Sequence, residues 1–297
     1  MKIRVAAVCG LLWTLMVSAA LHAEQEDATV SVFTLAGPLY LLQGQGGNVL
    51  ASVGDDGVLL IDADEPQMVE AYRHAIRRLA GLDAVPRLVI NTHWHSENTG
   101  GNAFWGGQGS VIVGHENVRE RLSRQQIGSP TAVDGAPGLA EALPIVTYRE
   151  RLTFHFNGDT LEIHHFSAGH TDGDSVVFFN DRNLVHLGDL FFRGQFPFVD
   201  LASGGSVDGY ITSVQAVLER VDEDTVIVPG RGALARRGDL QRYLDMLQAT
   251  TAEVRQHLAD GVSPEDISTV GLDPKWADWG RGSIGEQQWI ATILAGS

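Results

Sequence analysis

The hydrophobic pattern of the first third of the chain predicts a β-meander followed by a helix. Four short aliphatic runs, separated by glycine-rich turns, are predicted strands: 30–36, 39–43, 48–53 and 58–62. Pro66 then opens a segment in which apolar residues recur at helical spacing as far as Gly81, which predicts a helix. A further strand over 87–91 leads directly into Thr92.

A similar order of elements recurs later in the chain. The remaining predicted elements are a strand (111–113), a helix (115–126), strands (152–156, 160–166, 175–180, 184–187), a helix (207–221), a strand (225–228) and two helices (240–259, 286–294). This repetition predicts two similar halves that pack sheet to sheet with helices outside, a four-layer α/β sandwich. The segment 127–143, rich in Gly, Pro and Ala, is predicted to be a long surface loop.

The first residues have the composition of a secretory signal. Lys2 and Arg4 precede an uncharged apolar run that ends at small residues near Ala23. A transmembrane anchor is the alternative, but the run is short for a bilayer that needs about 20 apolar residues. We therefore predict a signal peptide at 1–23, a single domain at 24–297, and a periplasmic or secreted protein.

Charge and cysteine content narrow the range of partners. Removal of residues 1–23 takes away two cations and no acid, so the formal net charge changes from −16 to −18. A chain this acidic repels phosphate backbones and anionic lipids, so we expect a small-molecule substrate rather than nucleic acid or, after signal cleavage, a membrane. The oligomeric state stays open. Cys9 lies within the predicted signal, so a metal must be held by His, Asp or Glu.

Several side chains with metal-binding chemistry follow predicted strands. His93 and His95 stand two residues apart just past the strand at 87–91. An isolated His-x-His pair is more often structural than metal-binding, but a third histidine, His170, also follows a strand, and so does Asp189. Three neutral imidazoles bind zinc and leave a fourth position for a water, whose pKa falls toward about 7. The pattern therefore predicts a zinc site.

These motifs resemble those of the metallo-β-lactamase-like superfamily, and the resemblance covers nearly all of the chain after the signal. The matching segments are Asn91-Thr-His93-Trp-His95, Ser167-Ala-Gly-His170-Thr-Asp-Gly-Asp174-Ser175, Gly188-Asp189 and Val228-Pro-Gly-Arg231-Gly. The resemblance implies an αββα fold and a hydrolytic water held by one or two zinc ions. It implies that His93, His95 and His170 form the first metal site, and that Asp62 helps to orient these ligands without binding the metal itself.

The positions of a second metal site depart from the family pattern. Where the family has His-x-His-x-Asp-His, this chain has Glu97 and Asn98, and the family's Pro-Gly-His-Gly is Pro-Gly-Arg231-Gly. Asparagine is a poor zinc ligand, and arginine has no lone pair to offer. Asp189 and Glu97 remain candidate ligands. We expect one zinc ion rather than two, with the Arg231 guanidinium in place of the second ion, where it neutralises both acids.

The resulting hypothesis is a zinc-dependent hydrolase that attacks an ester, lactone or lactam carbonyl. Its candidate catalytic residues are Glu97 as general base, Arg231 as oxyanion partner, and Asp189. The alternative is that Glu97 and Arg231 form a structural ion pair in a site that has lost hydrolysis, which would leave a non-catalytic binding protein. A third interpretation is a mononuclear iron oxygenase, because histidine sites of this type also suit iron.

Overall fold

The computed structural model of the chain describes residues 29–128 and 140–296. The signal peptide predicted at 1–23 lies outside the described residues, and so does most of the loop predicted at 127–143. Of that loop, residues 127–128 end a helix and residues 140–142 form a turn. None of the helices in the described ranges is long and apolar enough to span a membrane.

The first sheet has seven strands whose spatial order follows the chain. They are β1 (Ser31–Thr34), β2 (Leu39–Gln43), β3 (Asn48–Gly54), β4 (Gly57–Ile61), β5 (Pro86–Ile90), β6 (Val111–His115) and β7 (Val146–Tyr148). Strands β1 to β4 pair antiparallel, which confirms the predicted meander, and β4 to β7 pair parallel. Strand β7 was not predicted, because only Tyr148 of its three residues is buried and the segment shows no apolar run.

The second sheet has five strands in the order β12-β11-β10-β9-β8. They are β8 (Arg151–Phe156), β9 (Asp159–His165), β10 (Ser175–Phe179), β11 (Leu184–His186) and β12 (Val226–Val228). Strands β8 to β11 pair antiparallel, whereas β11 and β12 pair parallel across the helix between them. All five strands agree with the sequence pattern to within one residue at either end.

Eight α-helices occur in the described part of the chain. They are α1 (Val69–Ala80), α2 (Ser96–Thr99), α3 (Asn102–Gly107), α4 (Glu116–Gly128), α5 (Val207–Leu218), α6 (Arg237–Ala259), α7 (Pro264–Val270) and α8 (Glu286–Ala295). The long helices α1, α4, α5, α6 and α8 were predicted. The short helices α2, α3 and α7 were not, since fewer than eight residues give too little periodicity.

The core consists of three apolar layers. Residues such as Leu50, Ile90 and Leu161 pack between the two sheets. The outer face of the first sheet packs against α1 through residues that include Tyr72 and Ile76. The outer face of the second sheet packs against α5 and α6 in a third, larger cluster. Two facing sheets with helices on both outer faces form the predicted four-layer αββα sandwich.

The carboxyl ends of parallel strands from both sheets meet at one edge of this sandwich. Asp62 follows β4, Asn91 follows β5, and Asp189 and Arg231 follow β11 and β12. The two sheets are joined at this edge by a hydrogen bond of 2.9 Å from the Asn48 backbone N–H to the Gly230 carbonyl. The predicted site residues therefore come together although they are far apart in sequence.

Candidate metal centre and adjoining cavity

Asp62 fixes the loop that carries His93 and His95. It lies just past β4 with a φ of 68°, a left-handed conformation that is strained for a residue with a side chain. Its carboxylate accepts hydrogen bonds of 2.8 Å from both the backbone N–H and the hydroxyl of Thr92, and one of 2.9 Å from Asn98 Nδ2. Burial raises the pKa of Asp62 to about 7, although these three hydrogen bonds favour the carboxylate.

His170 comes from the turn between β9 and β10. The buried Asp174 closes this turn by accepting hydrogen bonds from the Thr171 backbone N–H at 3.0 Å and from its hydroxyl at 2.6 Å. On the other side, the Asp200 backbone N–H donates to the His170 carbonyl at 2.9 Å. Hydrogen bonds on both sides of His170 therefore fix the backbone that positions its imidazole in the site.

The structure brings the three predicted histidines together. His93 Nε2 lies 3.2 Å from His95 Nδ1 and 3.2 Å from His170 Nε2, and the latter two nitrogens lie 2.9 Å apart. We call these residues the histidine cluster. Among the residues that the structure describes, these are the three His, Cys, Asp or Glu side chains whose ligand atoms lie close enough together to hold a metal ion.

The outer ring nitrogens of two cluster members have acceptors as partners. His170 Nδ1 lies 2.8 Å from the Phe198 carbonyl oxygen. His95 Nε2 lies 3.0 Å from Asp200 Oδ2. A carbonyl or a carboxylate can only accept, so each outer nitrogen carries the proton, and the inner nitrogen of a neutral ring is left with its lone pair.

The outer nitrogen of His93, the third member of the cluster, also has a hydrogen-bond acceptor as its partner. The Thr92 hydroxyl donates its proton to Asp62, so at 3.1 Å it accepts from His93 Nδ1 and leaves His93 Nε2 unprotonated. Burial, and then the neighbouring imidazoles, hold the pKa of His93 well below its usual value. Burial likewise lowers the pKa of His170 to about 3. His93 and His170 are therefore neutral, and the outer hydrogen bonds of all three rings turn the inner nitrogens toward one another.

This arrangement fits a tetrahedral metal ion. Three inward lone pairs at 2.9–3.2 Å cannot hydrogen-bond to one another, so a cation between them removes their mutual repulsion. Zinc–nitrogen bonds of about 2.0–2.1 Å in a tetrahedron correspond to nitrogen separations of about 3.3 Å. The outer hydrogen bonds also orient each ring, as is usual for metal-bound histidines.

Beside the histidine cluster lie Glu97, Asp189 and Arg231, which we call the acid–arginine group. Arg231 places one terminal guanidinium nitrogen 3.1 Å from Glu97 Oε1 and its Nε 3.6 Å from Asp189 Oδ2. The same Asp189 oxygen lies 3.9 Å from His170 Nε2. Burial raises the pKa of Asp189 to about 6; the Arg231 charge opposes this shift, and the Glu97 charge adds to it.

Two glycines allow Asp189 to take this position. Gly188 has a φ of 52°, and a side chain there would lie 2.7 Å from Thr92. A Cβ on Gly230 would lie 2.2 Å from Asp189 Oδ1. Glu97 and Asp189 are not members of the histidine cluster. Their role as ligands therefore stays a prediction.

Asn98, where the family pattern has histidine, turns its amide nitrogen to Asp62 at 2.9 Å. Its Oδ1 is buried and has no hydrogen-bond partner among the described residues. The side chain therefore acts as a donor that holds the ligand loop.

The residues that orient the cluster were not predicted from the sequence. Asp200 and the Phe198 carbonyl belong to residues 191–206, between the Gly188-Asp189 motif and α5, a stretch with no histidine and no family motif. Burial acts to raise the pKa of Asp200, but hydrogen bonds from Ser203 and His95 outweigh it, so the pKa lies below its usual value. Asp200 and His95 are 105 positions apart, and no local pattern signals their contact.

Two adjoining cavities open beside the site. The first has a volume of about 270 Å³ and is lined by the acid–arginine group and by Phe192, Phe198, Ser283 and Ile284. The second, of about 450 Å³, is lined mainly by polar residues of the Gln43–Asn48 turn and by Gln195, and it shares Arg231 and Ser283 with the first. A small molecule therefore has space next to the histidine cluster.

The fold and the histidine cluster define a class of αββα proteins with a histidine-lined site that can hold a metal ion. The chain belongs to the metallo-β-lactamase superfamily, whose family model matches residues 42–231. The resemblance found in the sequence motifs is thereby confirmed.

The chain is also similar in sequence to individual proteins. The chain is 24% identical over 223 residues to 2,4-dinitroanisole O-demethylase subunit alpha of Nocardioides sp. (strain JS1661), which covers 74% of this chain and 63% of that protein. It is 28% identical over 171 residues to an uncharacterized protein of Mycobacterium tuberculosis, which covers 47% of this chain and 75% of that protein. The chain thus spans less than two thirds of the length of the O-demethylase subunit.

Solved structures show the same fold. A metallo-β-lactamase from Pontibacter korlensis superposes with a TM-score of 0.60 at 21% identity, covering 74% of this chain and 99% of that one. The DIM-1 metallo-β-lactamase gives a TM-score of 0.61 at 17% identity, covering 74% of this chain and 97% of that one. At these identities the likeness extends to the fold alone.

Proposed function

We propose that this protein is a zinc-dependent hydrolase that uses one zinc ion to cleave an ester, lactone or lactam carbonyl. The observation that carries the proposal is the histidine cluster, in which three imidazoles turn one ring nitrogen each toward one point beside a cavity. Zinc is favoured because three histidines with an open fourth position are its usual catalytic ligand set.

A zinc ion bound by the histidine cluster would supply Lewis acidity, which polarises a carbonyl and lowers the pKa of water toward about 7. Asp189 is placed to accept a proton next to this point, since its Oδ2 lies 3.9 Å from His170 Nε2. Arg231 Nε lies 3.6 Å from the same Asp189 oxygen, and Arg231 lines the cavity, where its cation would stabilise negative charge on a substrate oxygen. Glu97 as general base stays a prediction, because its Oε1 already accepts from Arg231.

We further propose that Arg231 takes the place of a second metal ion. Its guanidinium lies between Glu97 and Asp189, so a cation already balances the two acids that would otherwise attract a metal. Asn98 is engaged with Asp62. Both changes support a site with one ion.

The competing proposal is a binding protein without turnover, in which the acid–arginine group is structural.

A second candidate reaction comes from the relative named as a 2,4-dinitroanisole O-demethylase subunit, which makes 2,4-dinitroanisole a reasonable test substrate. Iron in place of zinc would give a coloured protein or an iron signal on elemental analysis.

The first experiment is elemental analysis of the protein from residue 24 onward, comparing wild type with His170→Ala. We expect one zinc per chain in wild type and almost none in the variant. His74→Ala is the matched control, because His74 is an exposed histidine on α1 and its loss should leave the zinc content unchanged.

Turnover is then measured with p-nitrophenyl esters, a lactone, a β-lactam and 2,4-dinitroanisole. Hydrolysis that needs both zinc and His170 supports the proposal. Zinc binding without turnover of any substrate would favour the binding protein, and absence of zinc uptake would refute the metal assignment.

We also propose that the protein is exported to the periplasm or secreted after cleavage near Ala23, with a small molecule rather than nucleic acid or membrane as its partner. The basic start, the apolar run and the acidic remainder of the chain support this. Amino-terminal sequencing of protein recovered from the periplasm or medium tests it, and an intact Met1 start in the cytoplasm would contradict it.

A further inference from the structure

The cavity next to the histidine cluster has two chemically different walls. One wall is the acid–arginine group. The other is apolar and is formed by Phe192, Phe198 and Ile284. A substrate whose polar reacting group faces the first wall would place its substituent against the second.

Phe198 is a large hydrophobic side chain left 40% exposed. Its ring centroid lies 6.0 Å from that of His95 and 5.7 Å from that of His170. Ligand pockets are lined mostly by apolar and aromatic side chains with a few polar groups, and this ring lies in such a lining. Its position against two candidate metal ligands means that a bound molecule would cover this ring.

Ile284 comes from the connection between the 3-10 helix Pro274–Arg281 and α8, a segment outside the part of the chain that the family model matches. The two helices that flank this connection are held against the loop that carries Phe198. The Phe196 backbone N–H donates to the Trp279 carbonyl at 2.9 Å, and the Phe196 ring stacks on Trp289 with centroids 5.9 Å apart. The apolar wall is therefore a packed, preformed surface.

We propose that this wall is a specificity subsite for an uncharged apolar substituent, alkyl or aryl, on the carbonyl substrate, with Phe198 and Ile284 as the selecting residues. The inference rests on the proposed function for the reacting group, but the subsite is defined by binding. A cavity of about 150 Å³ lined by apolar side chains accommodates benzene. The 270 Å³ cavity thus has room for a six-membered ring and a short chain.

The test uses acetohydroxamate, butanohydroxamate and hexanohydroxamate, which share a zinc-binding head group and differ in the apolar tail. They are titrated into the zinc-loaded protein by calorimetry. We expect the Kd to fall by about two- to fourfold per added methylene until the cavity is filled. A Kd that stays constant along the series would overturn the subsite.

Variants assign the effect to the wall. In Phe198→Ser the gain from the acetyl to the butanoyl compound should shrink to about twofold or less, because the tail meets a polar surface. The gain is a ratio of two Kd values measured on the same variant, so any change in head-group binding cancels. Ile284→Asn should act in the same direction. Val270→Ser is the control, since Val270 is 65% exposed and does not line either cavity, and it should keep the full gain. An unchanged gain in Phe198→Ser would refute the assignment.

A second readout separates this inference from the proposed hydrolysis. Binding of 4-fluorobenzohydroxamate is followed by ¹⁹F NMR line broadening with and without zinc. Broadening that needs zinc and is weaker with Phe198→Ser than with wild type at the same concentrations supports the subsite even if no ester is hydrolysed. Ester hydrolysis with no broadening, or with equal broadening in the variant, would overturn the subsite and leave the proposed function intact.

Discussion

Asp200→Asn is expected to weaken zinc binding although Asp200 is not a predicted ligand. Its Oδ2 accepts from His95 Nε2 at 3.0 Å, and its Oδ1 accepts from the Ser203 backbone N–H at 3.0 Å. Asparagine has one acceptor atom and one donor atom in these places. Whichever way the amide turns, its NH₂ group faces another donor, so either the imidazole or the turn loses its partner.

The magnitude follows from the kind of bond that is lost. The side chains of His95 and Asp200 are only 11% and 15% exposed, so water screens the contact weakly. A hydrogen bond to a charged group contributes about 1.5–3 kcal/mol. Since about 1.4 kcal/mol is a factor of ten in an equilibrium constant, the zinc Kd should rise by about 10- to 100-fold.

The assay is competition for zinc between the protein and a colorimetric chelator at neutral pH. Asp222→Asn is the matched control, because the Asp222 carboxylate also accepts local hydrogen bonds, from the Asp224 backbone N–H and the Thr225 hydroxyl, but it precedes β12, whereas the site residues follow the strands. Circular dichroism checks that both variants are folded. A zinc Kd for Asp200→Asn within about twofold of wild type would refute the claim that Asp200 orients His95.

Three further predictions concern metal number, acid stability and the core. Restoring the two missing histidines in Asn98→His with Arg231→His should raise the zinc content from one to two per chain, whereas the control Arg242→His, at a side chain 69% exposed, should not; elemental analysis decides. Burial lowers the pKa of His186 to about 4, so between about pH 6.5 and 4 the unfolded chain binds the extra proton and stability falls as pH falls. In His186→Gln the free energy of unfolding, measured with urea, should fall less between pH 7 and pH 5 than in wild type. An equal fall would contradict this. Trp289 is fully buried and donates to Thr250 at 2.9 Å, so Trp289→Phe should cost about 1–3 kcal/mol in urea unfolding, and no loss would count against this core contact.

The periodic segments of the fold were predictable from the sequence. Strands β2, β3 and β4 alternate with glycine turns, and α1 has a clear apolar face, so local pattern was sufficient. The elements that were missed include α2, which is too short to show a period, and β7, which shows no apolar run. Their conformation depends on contacts with the rest of the chain, such as the pairing of β7 with β6.

Part of the candidate site was also predictable from the sequence, and part required the structure. The identities of His93, His95 and His170 were evident because each follows a strand in a motif, and a buried histidine at a strand end has a limited range of roles. That Arg231 lies beside Glu97 was also predictable, since both occupy altered positions of one family pattern. Their separation of 3.1 Å needed the structure.

By itself, the sequence determined the four-layer sandwich and the chemical types gathered at its edge, because hydrophobic periodicity and strand ends are local properties. Only the tertiary structure decided which ring nitrogens face inward, since this depends on the hydrogen bonds that His95 and His170 make with Asp200 and the Phe198 carbonyl. The apolar wall likewise depends on how the Ile284 connection packs against the loop of Phe198. These contacts join distant parts of the chain, and their geometry is set by packing rather than by any pattern within one segment.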